Sequence, residues 1–210
     1  MYIFTRTARL ALGRNRDAMS WAMGITEQVN HVTELEVSLW TTMFSPAVGQ
    51  LTWSTLVEDL THLEASMSKL ATEERFLAES DRGAAFTTAA GVDDRLGQLI
   101  GSTPDPTRRP QCSAVVTATL ANGALARGME VGVEIAERAT AIAGIPTTFV
   151  VGMTGPYGGV GWITGAESIR ELEAAEQAVN TDADLIAFLD REAVEVFQPG
   201  AEQHILRRLL

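Results

Sequence analysis

Apolar and polar positions change their spacing along the first hundred residues in a way that separates strands from helices. The β-rich run at residues 2–10 predicts a strand. Between Asp17 and Val32 the apolar residues recur at steps of three and four, which is typical of one buried helix face. From Leu35 to Phe44 apolar and polar residues alternate, which predicts a second strand. The chain therefore begins as strand, helix, strand.

The next residues predict a turn, a third strand and further helices. The stretch SPAVGQ at 45–50 supplies turn residues before a strand that contains Trp53. A second helix is expected to begin near Thr55, because Glu58 and Asp59 favour a first turn. A fresh helix start is expected at 72–74, and the last strand is expected to end near Phe86, ahead of a terminal segment.

The same pattern recurs about 110 residues later. GQLTWST at 49–55 matches GGVGWIT at 158–164, and each is followed by Leu-Glu-Ala after a similar interval. Phe86 aligns with Phe197 at nearly the same offset. Chance similarity of short words would not keep one offset across half a chain, so the sequence indicates a tandem duplication.

The duplication predicts three parts. Residues 1–101 form the first repeat, 102–111 a proline-rich linker, and 112–210 the second repeat, since Pro104, Pro106 and Pro110 prevent regular hydrogen bonding in the linker. The stretch MEVGVEI at 129–135 alternates like a strand, but its place in the repeat corresponds to a helix. We therefore predict a helix there.

Composition limits the function. The chain has 27 acidic and 16 basic residues and a formal net charge of -11, which argues against binding to nucleic acid or anionic membranes. No stretch approaches a membrane span, and the expected location is the cytoplasm. Cys112 is the only cysteine and is interpreted as a small buried hydrophobe, and no Cys/His cluster suggests zinc.

Each repeat would cover one face of its antiparallel sheet with helices and leave the other face bare. Placing the two bare faces together closes a barrel within one chain, and its interior could hold a small molecule. The predicted fold class is thus α+β, with two ferredoxin-like βαββαβ repeats forming an intramolecular pseudo-dimeric barrel.

The element order, the tryptophan of the third strand, TDADLIAFL at 181–189 and EVFQPGAEQHILRRLL at 195–210 together resemble the dimeric α+β barrel superfamily. Within it the chain is similar to NIPSNAP-type and stress-responsive barrel proteins. The resemblance implies a fold shared by cofactor-independent monooxygenases, haem-handling enzymes, lactone isomerases and proteins without known activity. Its motifs are structural, so no catalytic residue is carried over.

Aromatic residues on the predicted strands are the first candidates for a ligand site. Trp53 and Trp162 occupy equivalent places, and packing is the simpler explanation. In the functional interpretation they line a central pocket from opposite sides and hold a flat apolar ligand, with the wall extended by neighbouring residues: Trp40, Phe44, Phe149 and Met153.

Charged and histidine side chains give weaker candidates. Arg6 lies on the first strand, where it either forms a salt bridge with Glu34 or Glu36 or holds a carboxylate or phenolate. His62, on the second helix, is a weak candidate for an axial haem ligand, although it is more simply a surface residue. His204 is expected on a terminal helix.

The remaining motifs add no chemistry. The glycine-rich stretch 152–162 lacks the Lys-Ser/Thr pair of a phosphate loop and is interpreted as a hairpin turn, with Tyr157 at its tip. We therefore expect a barrel that binds a small apolar or aromatic molecule, either as a cofactor-free monooxygenase or isomerase or without catalysis. The alternatives are a non-enzymatic protein-interaction or assembly module with a packed barrel and a haem-binding protein. The helical exterior could also form a homo-oligomer.

Overall fold

A computed structural model describes residues 1–11, 13–45, 48–101, 104–105 and 108–210. Pro46 of the predicted turn and Pro106 of the predicted linker lie outside these ranges.

The described residues form eight strands and six helices in an order that repeats once. The first series consists of β1 (Tyr2–Leu10), α1 (Asn15–Thr33), β2 (Ser38–Met43), β3 (Gln50–Val57), α2 (Leu60–Ala71), α3 (Glu74–Gly83) and β4 (Thr87–Ile100). The second consists of β5 (Cys112–Thr119), α4 (Leu125–Ala143), β6 (Thr147–Gly152), β7 (Gly159–Ala166), α5 (Ile169–Thr181), α6 (Ala183–Val196) and β8 (Glu202–Arg208). The helix predicted over 129–135 is confirmed.

The second helix begins later than predicted. Strand β3 continues to Val57, which pairs with Tyr2 of β1, and α2 starts only at Leu60. Asp59 caps this helix, because its carboxylate accepts a hydrogen bond from the backbone N–H of His62 at 2.8 Å. The expected start near Thr55 is therefore wrong, since ladder pairing with β1 holds residues 50–57 extended.

The predicted terminal helix is also wrong. His204 lies on β8, where it pairs with Val115 of β5. Phe86 and Phe197 precede the last strands rather than ending them. Strands β4 and β8 form because they pair with the edges of β6 and β5. Ile100 of β4 pairs with Phe149 of β6, and His204 of β8 pairs with Val115 of β5.

Hydrogen bonding orders the strands β1-β3-β2-β8-β5-β7-β6-β4 in a closed barrel. All pairings with a described register are antiparallel. The glycine-rich stretch 152–162 joins β6 to β7 as a hairpin, which confirms that interpretation. Across the described ranges, no helix is both long enough and apolar enough to cross a membrane.

The chain divides into two compact units. Unit 1 comprises Met1–Leu96 and Arg208–Leu210, and unit 2 comprises Gly97–Arg207. Strand β4 therefore contributes to both. In unit 1, the backbone N–H of Leu209 donates to the carbonyl of Leu39 at 2.7 Å, so the end of the chain extends the edge of β2.

Each unit covers one face of its strands with helices. The unit 1 layer is the packed region between α1–α3 and the sheet. Its buried apolar residues include Leu10, Ala18, Trp21, Ala22, Ile25, Leu35, Leu39, Leu51, Val57, Leu63 and Phe86. The unit 2 layer lies between α4–α6 and its strands. Its buried apolar residues include Leu120, Val131, Ala136, Phe149, Val160, Trp162, Leu185 and Phe188. Cys112 is buried in a further cluster of unit 2, as predicted.

Candidate functional site

Trp53 faces the helices of unit 1. Its indole N–H donates to the hydroxyl of Thr26 on α1 at 2.8 Å. Its ring lies edge-on to that of Trp21, with 6.0 Å between the ring centroids. The Thr26 hydroxyl in turn donates to the carbonyl of Ala22 at 2.6 Å, and this second hydrogen bond fixes the orientation of the hydroxyl group. Trp53 is thus a hydrogen-bonded member of the unit 1 layer.

Trp162 and Phe149 lie in the unit 2 layer. The indole N–H of Trp162 donates to the carbonyl of Gly132 on α4 at 2.8 Å. The Phe149 ring is fully buried, with its centroid 5.4 Å from that of Trp162. It presses so closely on Gly132 that a Cβ there would overlap it. The ligand-binding role of Trp53, Trp162 and Phe149 stays a prediction, and it would have to operate from within these two helix-covered layers.

Trp40 belongs to the other face of its strand. It pairs with Thr52, whereas its neighbour Leu39 pairs with Trp53. The indole N–H donates to the hydroxyl of Ser54 at 2.9 Å, and the guanidinium carbon of Arg208 lies 5.8 Å from the ring centroid. Trp40 therefore does not share a face with Trp53. Its proposed ligand contact is likewise a prediction.

The other side chains expected along the pocket wall lie at the surface. Phe44 is 86% exposed and Met153 is 49% exposed. Tyr157, between β6 and β7, is also exposed. This exposure does not suit the wall of an enclosed pocket.

Arg6 forms an ion pair, but with neither predicted glutamate. Its Nε and one terminal nitrogen donate to the two carboxylate oxygens of Asp94 on β4, each at 2.7 Å. These hydrogen bonds raise the pKa of Arg6 above its ordinary value, against the opposing effect of burial. Arg6 pairs with Trp53 in the sheet, so both side chains emerge on the helix-covered face. In this bidentate ion pair the guanidinium charge of Arg6 is already neutralised by Asp94, so Arg6 is poorly suited to bind an anionic ligand.

The histidines lie outside both layers. His62 is an exposed residue in the first turn of α2, and His31 is exposed in the last turn of α1. The Nε2 of His204 lies 3.5 Å from a carboxylate oxygen of Glu202 on β8. No group of three or more His, Cys, Asp or Glu side chains in the described part of the chain is arranged to hold a metal ion.

Unit 1 contains buried polar atoms that lack a partner. They are Nε2 of Gln28 on α1, Oγ1 of Thr55 on β3 and Oγ1 of Thr88 on β4. Gln28 is 9% exposed and Thr55 is 4% exposed. Buried side-chain donors are nearly always paired in folded proteins, so each such atom requires an explanation. No side-chain atom of unit 2 has this property within the described ranges.

Comparison of the two repeats explains the Thr55 hydroxyl. Leu39 pairs with Trp53 as Phe149 pairs with Trp162, so the two hairpins correspond residue by residue. Thr55 then corresponds to Thr164, whose hydroxyl oxygen lies 2.8 Å from that of its cross-strand partner Thr147. The first repeat has Val37 at the position of Thr147. The Thr55 hydroxyl has therefore lost its partner through one difference between the repeats.

Gln28 differs from its counterpart in the same way. Helices α1 and α4 both contain 19 residues, so Gln28 corresponds to Arg138. A terminal nitrogen of Arg138 lies 2.7 Å from Glu134, and its guanidinium lies 4.3 Å from the ring centroid of Phe188. In the second repeat, the equivalent side chains Thr164 and Arg138 both have polar partners. In the first repeat, Thr55 Oγ1 and Gln28 Nε2 have none. The unit 1 layer is the candidate site.

Sequence reasoning missed Gln28 and Thr55. A usable signal existed for Thr55, because the repeat alignment already sets Val37 against Thr147. For Gln28 the signal was weaker, since a glutamine beside an apolar stripe is ordinary on a helix flank.

No family model matches the chain, and no curated protein matches it. Solved structures do. A proposed monooxygenase from Fusobacterium nucleatum has a TM-score of 0.71 at 6% identity, covering 100% of this chain and 92% of that one. An anthrone oxidase-like protein has a TM-score of 0.69 at 10% identity, covering 100% and 91%. A haem-binding protein from Thermus thermophilus has a TM-score of 0.58 at 10% identity, also covering 100% and 91%.

At these identities the likeness concerns the fold. The narrower resemblance to NIPSNAP-type and stress-responsive proteins stays a prediction. The element order, the antiparallel strand pairing and these full-length matches show that the chain shares the α+β barrel fold of these structures.

Proposed function

We propose that the unit 1 layer binds a small, mostly apolar molecule. The observation that carries this proposal is the presence of unpartnered buried atoms on two packed elements of unit 1, Gln28 Nε2 on α1 and Thr55 Oγ1 on β3. An unpaired buried polar group costs about 1–3 kcal/mol. A ligand that hydrogen-bonds to these groups would recover that free energy on binding.

The surroundings of these atoms favour an apolar ligand. Thr55 lies on the same strand face as Trp53 and Val57, which belong to the two apolar clusters of unit 1. Trp21 adds a second indole, whose N–H already donates to the carbonyl of Glu79 at 2.8 Å. A site with apolar walls and a few uncommitted polar atoms is typical of small-molecule pockets.

The proposal concerns one ligand per chain. Unit 2 has paired the equivalents of both unpartnered groups, and two glycines of its helix α4 are tightly packed. The Gly132 Cα faces the Phe149 ring and that of Gly128 faces the Leu120 side chain, each too closely to admit a Cβ. Unit 1 has an equally close contact between Trp21 and Gly83, so the paired polar groups, rather than the glycine packing, distinguish unit 2 and support the packed-module alternative there.

An oxygenase reaction is the enzymatic form of this proposal. Two of the matching structures are described as a proposed monooxygenase and an anthrone oxidase-like protein, which gives a reason to test oxygen consumption. The layer would hold the substrate away from water and orient it through its polar atoms.

Haem binding is less well supported. The matching haem-binding protein gives a reason to consider it. However, His62 and His31 are exposed on the outside of their helices, so they do not fit an enclosed haem site. A haem titration would test this alternative, and a Soret shift lost in His62→Ala would support it.

Native mass spectrometry of protein purified without denaturation tests the proposal directly. We expect a retained molecule at one per chain. Thr55→Val should reduce the retained fraction, whereas Thr164→Val, the matched change in unit 2, should not. Absence of a retained molecule, together with no change in tryptophan fluorescence on adding apolar aromatic probes, would refute the proposal.

A further inference from the structure

We infer that the molecule bound in the unit 1 layer is uncharged and presents a carbonyl-type oxygen to the side-chain amide of Gln28. This inference rests on the proposed function and specifies the ligand class. It depends on the hydrogen-bonding capacity of Gln28 and on the charge balance of the helix-covered face of β1.

Gln28 lies on the flank of α1 that also carries Trp21. The two residues are seven positions apart, close to two helical turns, so their side chains leave the helix in nearly the same direction. Trp21 from this flank reaches α3, where its indole N–H is bonded and its ring packs on Gly83. Gln28 therefore leaves α1 on the flank that faces α3, at the helix-facing border of the unit 1 layer.

The unpartnered atom of Gln28 is a nitrogen that can only donate hydrogen bonds. Its partner must therefore be an acceptor, and in an apolar setting a carbonyl oxygen is an acceptor that brings no charge. The Thr55 hydroxyl can donate or accept, so it restricts the ligand less. A pure hydrocarbon would leave both groups unpaired.

The charge balance argues against an ionised ligand. Arg6 is the cation that β1 places on the helix-covered face, and both oxygens of Asp94 bind it at 2.7 Å. The pair has no net charge, and an incoming carboxylate would have to displace Asp94 from two charge-assisted hydrogen bonds. An ammonium ligand would meet a carboxylate that is already satisfied. Moving either ion into the layer without a counter-ion is costly.

Three probes of one shape separate these possibilities: fluorene, fluorenone and fluorene-9-carboxylate. They share a planar tricyclic frame and differ at one carbon, which carries hydrogen, a carbonyl oxygen or an anion. Quenching of tryptophan fluorescence reports binding, and loss of the fluorenone preference in a Gln28 variant assigns that binding to unit 1. We expect fluorenone to bind about tenfold more tightly than fluorene, which corresponds to one recovered hydrogen bond. The carboxylate should bind most weakly.

Gln28→Met keeps the length of the side chain and removes the donor. In this variant fluorenone should lose its tenfold preference, while fluorene keeps its affinity. Gln177→Met, a matched change at an exposed position on α5, should leave the preference intact. Circular dichroism and thermal melts of each variant show that the fold is retained.

The outcomes separate this inference from the proposed function. Equal binding of fluorene and fluorenone to the unmodified protein would overturn the carbonyl inference, while the ligand-binding layer would stand. The same result is expected if water is the partner of Gln28. Tightest binding of the carboxylate would overturn the uncharged assignment. Failure of all three probes, with no retained molecule, would overturn both the inference and the proposed function.

Discussion

Trp53 on β3 and Thr26 on α1 are joined by a hydrogen bond of 2.8 Å from the indole nitrogen to the hydroxyl oxygen. Thr26 is fully buried, so no water can replace this acceptor. The hydroxyl therefore links the sheet to its covering helix at the centre of the unit 1 layer.

Thr26→Val should destabilise the protein, because it keeps the shape of the side chain and leaves the indole N–H unpaired. We expect a loss of about 1–3 kcal/mol in the free energy of unfolding, measured by urea denaturation. Thr61→Val, at an exposed position on α2, serves as the control and should change little. An unchanged midpoint for Thr26→Val would show that the bond contributes nothing.

Thr55→Val and Thr164→Val should have opposite effects on the ligand-free protein. Replacing the unpartnered Thr55 hydroxyl with a methyl group removes a desolvation cost, so stability should stay equal or rise by about 1 kcal/mol. Thr164→Val breaks the hydroxyl pair with Thr147 and should cost about 1 kcal/mol. Thermal melting of both variants after ligand removal measures the difference. Equal losses would indicate that Thr55 has a partner.

Gly132→Ala should destabilise unit 2 severely, because the added methyl group would overlap the Phe149 ring. We expect a cost of about 1–3 kcal/mol or more from overpacking. Gly24→Ala on α1 is the matched control. Its methyl group would meet no atom within 4 Å, and it should stabilise the helix by about 0.5–1 kcal/mol. Denaturant midpoints that move in the same direction would contradict this packing.

The ion pairs of Glu192 with Arg191 and Arg127 should make the thermal stability of the protein decrease in acid. Hydrogen bonds from Arg191 and then Arg127 hold the pKa of Glu192 below its ordinary value of 4.5. A carboxyl with a lowered folded-state pKa stabilises the fold above its ordinary pKa, and this contribution is lost as the pH falls through the folded-state value. Glu192→Gln should therefore lower the thermal midpoint slightly at neutral pH, and the difference should narrow below pH 4.5.

Melts from neutral to acidic pH check this, with the exposed Glu173→Gln as the control. Because the arginines and Glu192 lie at the surface, added salt should reduce the effect. A difference that widens in acid would contradict the assignment.

The fold was largely predictable because the duplication supplied evidence that local patterns lack. At residues 129–135 the alternation favoured a strand, and only the counterpart in the first repeat indicated the helix that α4 confirms. The terminal strands were harder. His204 lies in a strand because β5 offers a pairing edge, which is a long-range property that local composition does not show.

The candidate site was less predictable. Alternation divides a strand into two faces, but it does not tell which face the helices cover when both carry large side chains. Trp40 and Trp53 look alike in the sequence, yet they lie on opposite faces. The partner of Arg6 was missed for a similar reason, because Asp94 is distant in sequence and reaches Arg6 only through β4.

Strand β4 is divided between the two compact units, so the units do not coincide with the two repeats. Residues 102–111 are predicted to be a linker between two similar sequences. Unit 2 nevertheless contains Gly97–Ile100 from before this segment, and unit 1 contains Arg208–Leu210 from the far end of the chain. A cut anywhere in residues 102–111 would leave two fragments, each missing part of its own compact unit. The two repeats are therefore not expected to fold separately, and excision of either one alone should yield a poorly folded fragment.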